Sequence, residues 1–413
     1  MTVLRARLLN PTNPDEMEYW DDALIVIENG KFKEVIVPDG RPVDRDLRPA
    51  VIVPGFVDSH LHFPQTRIVG SASGPLLDWL NRSTFPEEQR FSELSHAEKV
   101  AEIFATELAS AGTTLPFVYG PVFPSASDAL FRVLERRGQR AVVGPVWMDE
   151  NCPDPLKLTP EASSDGIEAL VANWHGKHDL LHVAVIPRFA LSCSKHSMTM
   201  AAEVARKHRL HVSTHLSENP VECQIARDSF KATDYLSIYE DSGLLTPGSI
   251  YAHCIYLSDS ELDRFARAGA VVAHCPDSNA FLGSGDMPTS AIAEREIPIT
   301  IGTDIAAGRS FRVSNTLSYA YDNALRTHFP ISTARLLWWG TRGGALALGF
   351  PQVGAIAPGL DADFQCIDVP EWAETAEGIV ANLIFNLDAP KPRFTCVRGR
   401  TVWTRADVVA AAS

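Results

Sequence analysis

No run of apolar residues in this chain approaches the ~18 that a membrane-crossing helix needs, which excludes a helical membrane protein. The cysteines do not pair by spacing either. There are seven (Cys152, Cys193, Cys223, Cys254, Cys275, Cys366 and Cys396), an odd number, scattered and without a CxxC. That pattern fits free thiols in a reducing compartment and argues against a disulfide framework. Basic charge is also in short supply, with 37 Lys and Arg against 51 Asp and Glu, a net charge of −14. A net negative field repels phosphate backbones, so general nucleic-acid binding is not expected. The N-terminal MTVLRARLLNPTNPDE lacks the apolar core of a signal peptide, which predicts a cytoplasmic protein. Tandem repeats and low-complexity tracts are absent.

What is present is ordinary globular composition: 413 residues, 45% hydrophobic and 21% charged, enough to bury a large core. Short β-branched runs alternate with amphipathic stretches, the mark of βα units around a parallel sheet. Predicted strands cover residues 51–57, 113–118, 140–148, 180–188, 210–215, 248–257, 270–276 and 298–304. Stretches such as HAEKVAEIFATELASAG and SMTMAAEVARKH between them carry apolar residues at helical spacing. Eight strands with intervening helices are what a closed (β/α)8 barrel requires. Residues 1–50 and 354–413 read instead as short strands with Gly and Asp-Gly turns, and neither segment alone can bury a core. The expected fold is therefore α/β: a distorted (β/α)8 TIM barrel over 51–353, with a small β-sandwich domain built from both chain ends. RPVDRDLRPA (41–50) reads as a polar linker between them.

The chemistry-bearing residues fall at the predicted strand ends. His60 and His62 close the first strand at i and i+2, so both imidazoles can face the barrel mouth. An HxH pair alone is weak, but His215, His253, His274 and Asp304 occupy equivalent positions on strands five to eight. Barrel chemistry sits at the carboxyl ends of strands. Neutral imidazoles with a carboxylate suit zinc, or ferrous iron, which shares these ligands. Glu218, three residues past His215, can reach a water beside such a metal and act as general acid–base. It could equally sit at a helix N-terminus for the dipole. The remaining histidines fall mostly on predicted helices or loops.

At these residues the chain resembles the amidohydrolase superfamily, in its deaminase branch. PGFVDSHLH (54–62), STHLSE (213–218), YAHCIYLS (251–258), VAHCPDSN (272–279), IGTDIAAG (301–308) and VGAIAPGLDADFQ (353–365) carry the resemblance. It implies one divalent metal held by His60, His62, His215 and Asp304, with Glu218, His253 and Asp304 catalytic and His253 on the water rather than the metal. Dinuclear members carry a lysine at the end of strand four, whereas here that strand ends Ile186-Pro187-Arg188-Phe189.

Within the branch, HLHFPQ (60–65), GPLLDWLNRSTFPEEQRF (74–91) and PRFALSCS (187–194) resemble the guanine deaminases. That likeness implies Gln65, Arg188 and Phe189 as purine contacts, with Trp79 in LLDWL shaping the pocket, and a homodimer. A guanidinium suits a carbonyl such as O6, an amide can donate and accept at a ring edge, and a phenyl ring can stack. Two departures flank the pocket: Asp277 where the family segment reads HCPNSN, and Ala306-Ala307 where small glycines are usual. A pterin, 8-oxoguanine or an s-triazine shares enough with guanine to stay open as substrate. So does, more remotely, a non-catalytic scaffold. The zinc base deaminases need HxE with a later PCxxC; His96-Ala97-Glu98 supplies the first, but no PCxxC exists.

Overall fold

The computed structural model describes residues 1–412. The chain opens with β1 (Thr2–Asn13), β2 (Glu16–Glu28) and β3 (Lys31–Ile36). Alternate residues Leu4, Ala6 and Leu8 of β1 meet Ala23, Ile25 and Ile27 of β2 in one apolar core, as the two-residue period of a strand dictates. Asn29 and Gly30, both at positive φ (53° and 79°), make the tight turn from β2 to β3. Next comes β4 (Arg45–Pro54), parallel to β1.

The barrel strands are β5 (Phe56–His62), β6 (Thr113–Gly120), β7 (Ala141–Trp147), β8 (Leu181–Pro187), β9 (His211–Leu216), β10 (Ile250–His253), β11 (Val271–His274) and β12 (Ile299–Ile301). All neighbours run parallel in sequence order. The ring draws shut where Asp304 N–H donates to the His60 carbonyl (2.8 Å) and His62 N–H to that of Ile305 (2.9 Å). Helices pack outside: in Leu94–Ser110 the buried Val100, Ala101, Phe104, Ala105 and Leu108 form one stripe. After the barrel, β13 (Phe364–Ile367), β14 (Phe394–Val397) and β15 (Arg400–Thr404) return to the N-terminal strands. One mixed sheet, ordered β15-β14-β13-β4-β1-β2-β3, thus unites both chain ends. Among the described residues no helix is long and apolar enough to cross a membrane.

The first predicted strand, 51–57, is in fact two. Val51–Pro54 belongs to β4 and pairs with Phe364–Ile367, so the end-built sheet runs four residues past the expected boundary at 50/51. The expected linker 41–50 likewise contains the start of β4. The break has a physical cause. Pro54 has no N–H to continue a ladder, and Gly55 lies so close to Thr114 that a Cβ would come within 2.1 Å of its Oγ1.

A buried ion cluster joins sheet to barrel. Arg140, just before β7, reaches Asp361 (Nη2–Oδ2, 2.7 Å) and Asp363 (Nε–Oδ2, 3.0 Å), and all three are buried. Asp363 Oδ1 also accepts the Arg398 N–H at 2.8 Å. Arg140→Met would strand two buried carboxylates, so a loss of about 3–5 kcal/mol is expected in a urea unfolding curve. A midpoint equal to wild type would show that the cluster contributes nothing.

Candidate metal centre and active site

The barrel brings His60, His62, His215 and Asp304 together, with one donor atom from each within 4.8 Å of the others. His60 and His62 come from β5, His215 from β9, and Asp304 from the turn after β12; all are buried. Asp304 Oδ1 lies 3.3 Å from His60 Nε2 and 3.4 Å from His62 Nε2, and His62 Nε2 lies 3.2 Å from His215 Nε2. Four residues at or just past strand ends hold positive φ without being glycine: Ser217 (52°), His253 (73°), Cys254 (53°) and Asp304 (50°). Such conformations cost about 1–3 kcal/mol each and persist where surroundings enforce them. For Asp304 the enforcement is visible. Asp58 accepts the Thr303 N–H (2.9 Å) and hydroxyl (2.5 Å), pinning the turn. Burial pushes the Asp58 carboxyl up to about 7.

These four residues fit a metal ion. His215 Nδ1–H donates to the Arg188 carbonyl at 2.6 Å, which leaves Nε2 with a bare lone pair facing the group. Neither nitrogen of His60 nor Nδ1 of His62 has a hydrogen-bond partner, a costly arrangement for buried polar atoms. Burial pushes all three imidazoles below the ordinary range, His62 to about 3, so they are neutral donors. Burial opposes the Asp304 charge, yet His60 and His62 hold its carboxyl well below the usual range. The three separations of 3.2–3.4 Å given above are close to the ~3.3 Å edge of a tetrahedron with ligands at about 2.0–2.1 Å. A second set, His60, His253 and Cys275, lies equally close but shares His60. Burial keeps the Cys275 thiol far above its ordinary pKa, hence protonated and a poor ligand. His274, expected among the strand-end group, is buried nearby but belongs to neither set.

Beside the metal group lie Glu218 and His253, with Glu218 Oε2 and His253 Nε2 3.4 Å apart. Asn279 Oδ1 is 2.8 Å from His253 Nδ1, which fixes Nδ1 as the protonated nitrogen and leaves Nε2 bare. Glu218 receives the Ser284 hydroxyl at 3.3 Å. Burial, helped by the Asp304 charge, pushes its carboxyl up to about 8. Glu222 accepts the backbone N–H groups of Glu218 and Asn219 (both 3.0 Å) and the Tyr235 hydroxyl, holding the loop in place.

A cavity opens from this centre, lined by His62, His215, Glu218 and Asp304 and by Gln65, Arg188 and Phe189. Leu76, Trp79 and Leu80 close another side, with Trp79 Nε1–H donating to the Ser71 carbonyl at 3.0 Å. His60 and His253 lie behind this wall. Arg188 is buried against Glu88 (2.7 and 2.9 Å). Glu88, Asn279 and Asp58 were not legible beforehand. Only hindsight separates Glu88 from its neighbour in FPEEQRF, although Asn279 could have been suspected two residues past the departure at Asp277. That aspartate binds the Arg309 N–H (2.7 Å) and Nε (2.8 Å), steadying the turn that sets Ala307 on the cavity wall.

A parallel eight-stranded barrel with a His/Asp metal group at its strand ends defines a metal-dependent hydrolase fold, and residues 51–402 match the Amidohydrolase family. The chain belongs to that family. Relatives there include guanine deaminases. The guanine deaminase of Escherichia coli K12 is 36% identical over 85% of this chain and 83% of its own length. The Homo sapiens guanine deaminase is 34% identical over 75% of this chain and 71% of its own. Among solved structures, the C. acetobutylicum guanine deaminase with guanine bound in its active site superposes with a TM-score of 0.92. It shares 30% identity and covers 97% of this chain and 100% of that one.

Proposed function

We propose that this chain is a guanine deaminase, converting guanine and water to xanthine and ammonia. The observation that carries the reading is the cavity itself, lined both by the metal group with Glu218 and by Arg188 and Gln65 with their N–H donors. Guanine needs both, since N7 and O6 are acceptors and the amino group to be removed lies across the ring.

His60, His62, His215 and Asp304 would hold one divalent metal, zinc by ligand type, with ferrous iron sharing the set. When bound it supplies Lewis acidity that brings the pKa of water toward ~7. The other steps belong to the chain. The outer oxygen of Asp304 takes one proton from the attacking water. Glu218 delivers a proton to the ring nitrogen next to C2 and then assists the departing amine. His253, oriented by Asn279, holds the water with Nε2. Arg188 absorbs negative charge growing on the carbonyl side, Gln65 binds the same edge, and Phe189 and Trp79 enclose the ring.

We also read the protein as cytoplasmic, which its seven free cysteines support. A homodimer is supported by exposed Leu325 and Phe385, the latter packed edge-on against Tyr321 one turn from Leu325; light scattering giving one chain mass would dismiss it. The deciding experiment for function is a rate comparison on guanine, 8-oxoguanine, isoxanthopterin and ammeline. Guanine is expected to lead with release of xanthine and ammonia. A zinc-loaded protein inert on guanine but active on another would overturn the reading.

A further inference from the structure

Glu88 lies on the short helix Phe85–Gln89, is fully buried, and does not border the cavity. Both of its oxygens meet Arg188 through Nη1 alone (2.7 and 2.9 Å), and Oε1 also accepts from Gln65 Nε2 at 3.1 Å. Among the described residues no hydrogen bond engages Arg188 Nη2 or Nε, so those donors remain for a ligand. The Phe85 ring centroid lies 5.7 Å from the Arg188 Cζ and backs the guanidinium.

Gln65 is held at both ends. Its Oε1 accepts the Ala306 N–H at 3.0 Å while its Nε2 donates to Glu88. Flipping this amide would set oxygen against carboxylate and NH2 against N–H, so one orientation is fixed. Its remaining amide hydrogen joins the free donors of Arg188.

We infer that Glu88 is a positioning residue that sets specificity. Its carboxylate holds Arg188 in place and fixes the Gln65 amide with its N–H as donor, selecting a heterocycle with a carbonyl oxygen and ring nitrogen at that edge and rejecting one with an amino group there. The inference rests on the guanine reading above and deepens it. A 6-oxopurine presents two acceptors to this edge, whereas a 6-aminopurine presents one acceptor and one donor. An amino group facing Arg188 leaves donors on both sides unpaired, which a site built for hydrogen bonding rejects strongly.

The test compares guanine with 2,6-diaminopurine, which carries the same 2-amino leaving group, on the zinc-loaded protein. Wild type is expected to favour guanine by about 10³-fold or more in kcat/KM. Glu88→Gln, close in size but uncharged, is expected to cut guanine kcat/KM by about 10²-fold and the preference by at least ~10-fold, with zinc content unchanged. In an Arg188→Met background, Glu88→Gln should add less than about 3-fold, because its effect passes largely through Arg188. Should Glu88→Gln fail to fold, Glu88→Asp, too short to reach both partners, carries the same expectation of a reduced preference. An unchanged preference in either folded variant overturns the inference, as does an equal loss on both substrates or a full additional loss on Arg188→Met. Wild type inert on guanine overturns the guanine reading and this inference's substrate with it. An active wild type with an unchanged preference in the variant overturns the inference alone.

Discussion

Glu218→Gln is expected to bind zinc like wild type and to turn over guanine roughly 10³- to 10⁴-fold more slowly. The metal should stay because Glu218 is outside the four-residue group. The local backbone should stay because its anchor is elsewhere. Glu222, not Glu218, caps the helix Pro220–Phe230, forming a capping box with Asn219 and taking the N–H of Glu218 as well. That division removes the competing reading of Glu218 as a carboxylate serving the helix dipole. What the substitution does remove is a carboxyl that burial pushes up to about 8, close enough to neutrality to give and receive a proton. An amide of the same size can still accept the Ser284 hydroxyl, but it transfers no proton. Xanthine release under saturating guanine, beside elemental analysis of zinc, checks the expectation. Activity within ten-fold of wild type would remove Glu218 from the chemistry.

How far the sequence alone reached follows from the geometry of a parallel barrel. Every strand delivers its last residues to one face, so His60, His62, His215, His253 and Asp304 could be assembled from strand-end position without knowing any helix. Side chains that arrive from elsewhere could not. Glu88 comes from the long excursion between β5 and the helix Leu94–Ser110, and in Glu87-Glu88 nothing local tells which carboxylate turns inward. Both are buried, but Glu87 meets His96 and Arg90 while Glu88 meets Arg188, one hundred residues away in sequence. Long-range ion pairs are invisible to periodicity. The same holds for Arg140, which reads as the first residue of the predicted strand 140–148 and is in fact the bolt between barrel and sheet. The error at 51–57 has a different root. VIVPGFV is one apolar run, and apolar character does not reveal that Pro54-Gly55 hands the chain from one sheet to another.

Removing the metal is expected to abolish turnover and to lower the thermal midpoint by several degrees, with both restored by added zinc. Without an ion the centre is a poor piece of protein interior. Two nitrogens of His60 and one of His62 have no hydrogen-bond partner, and the Nε2 atoms of His62 and His215 converge at 3.2 Å. Buried polar atoms left unmet cost about 1–3 kcal/mol each. Burial keeps the imidazoles neutral, so protonation does not relieve the conflict, while Asp304 stays charged among them. An ion that binds only the folded chain would take one nitrogen from each histidine and an oxygen of Asp304. By mass action it stabilises by about 2.7 kcal/mol at a hundred-fold excess over its dissociation constant. The centre therefore ties activity and stability to one occupant, and the two should move together. Dialysis against a chelator, followed by calorimetry and a guanine assay with and without zinc, reads both. His215→Ala should reproduce the chelated state and resist rescue, since it deletes the donor that the Arg188 carbonyl orients. A chelated protein that keeps its midpoint while losing activity would mean that the four residues are satisfied without the ion, and that the metal serves chemistry alone.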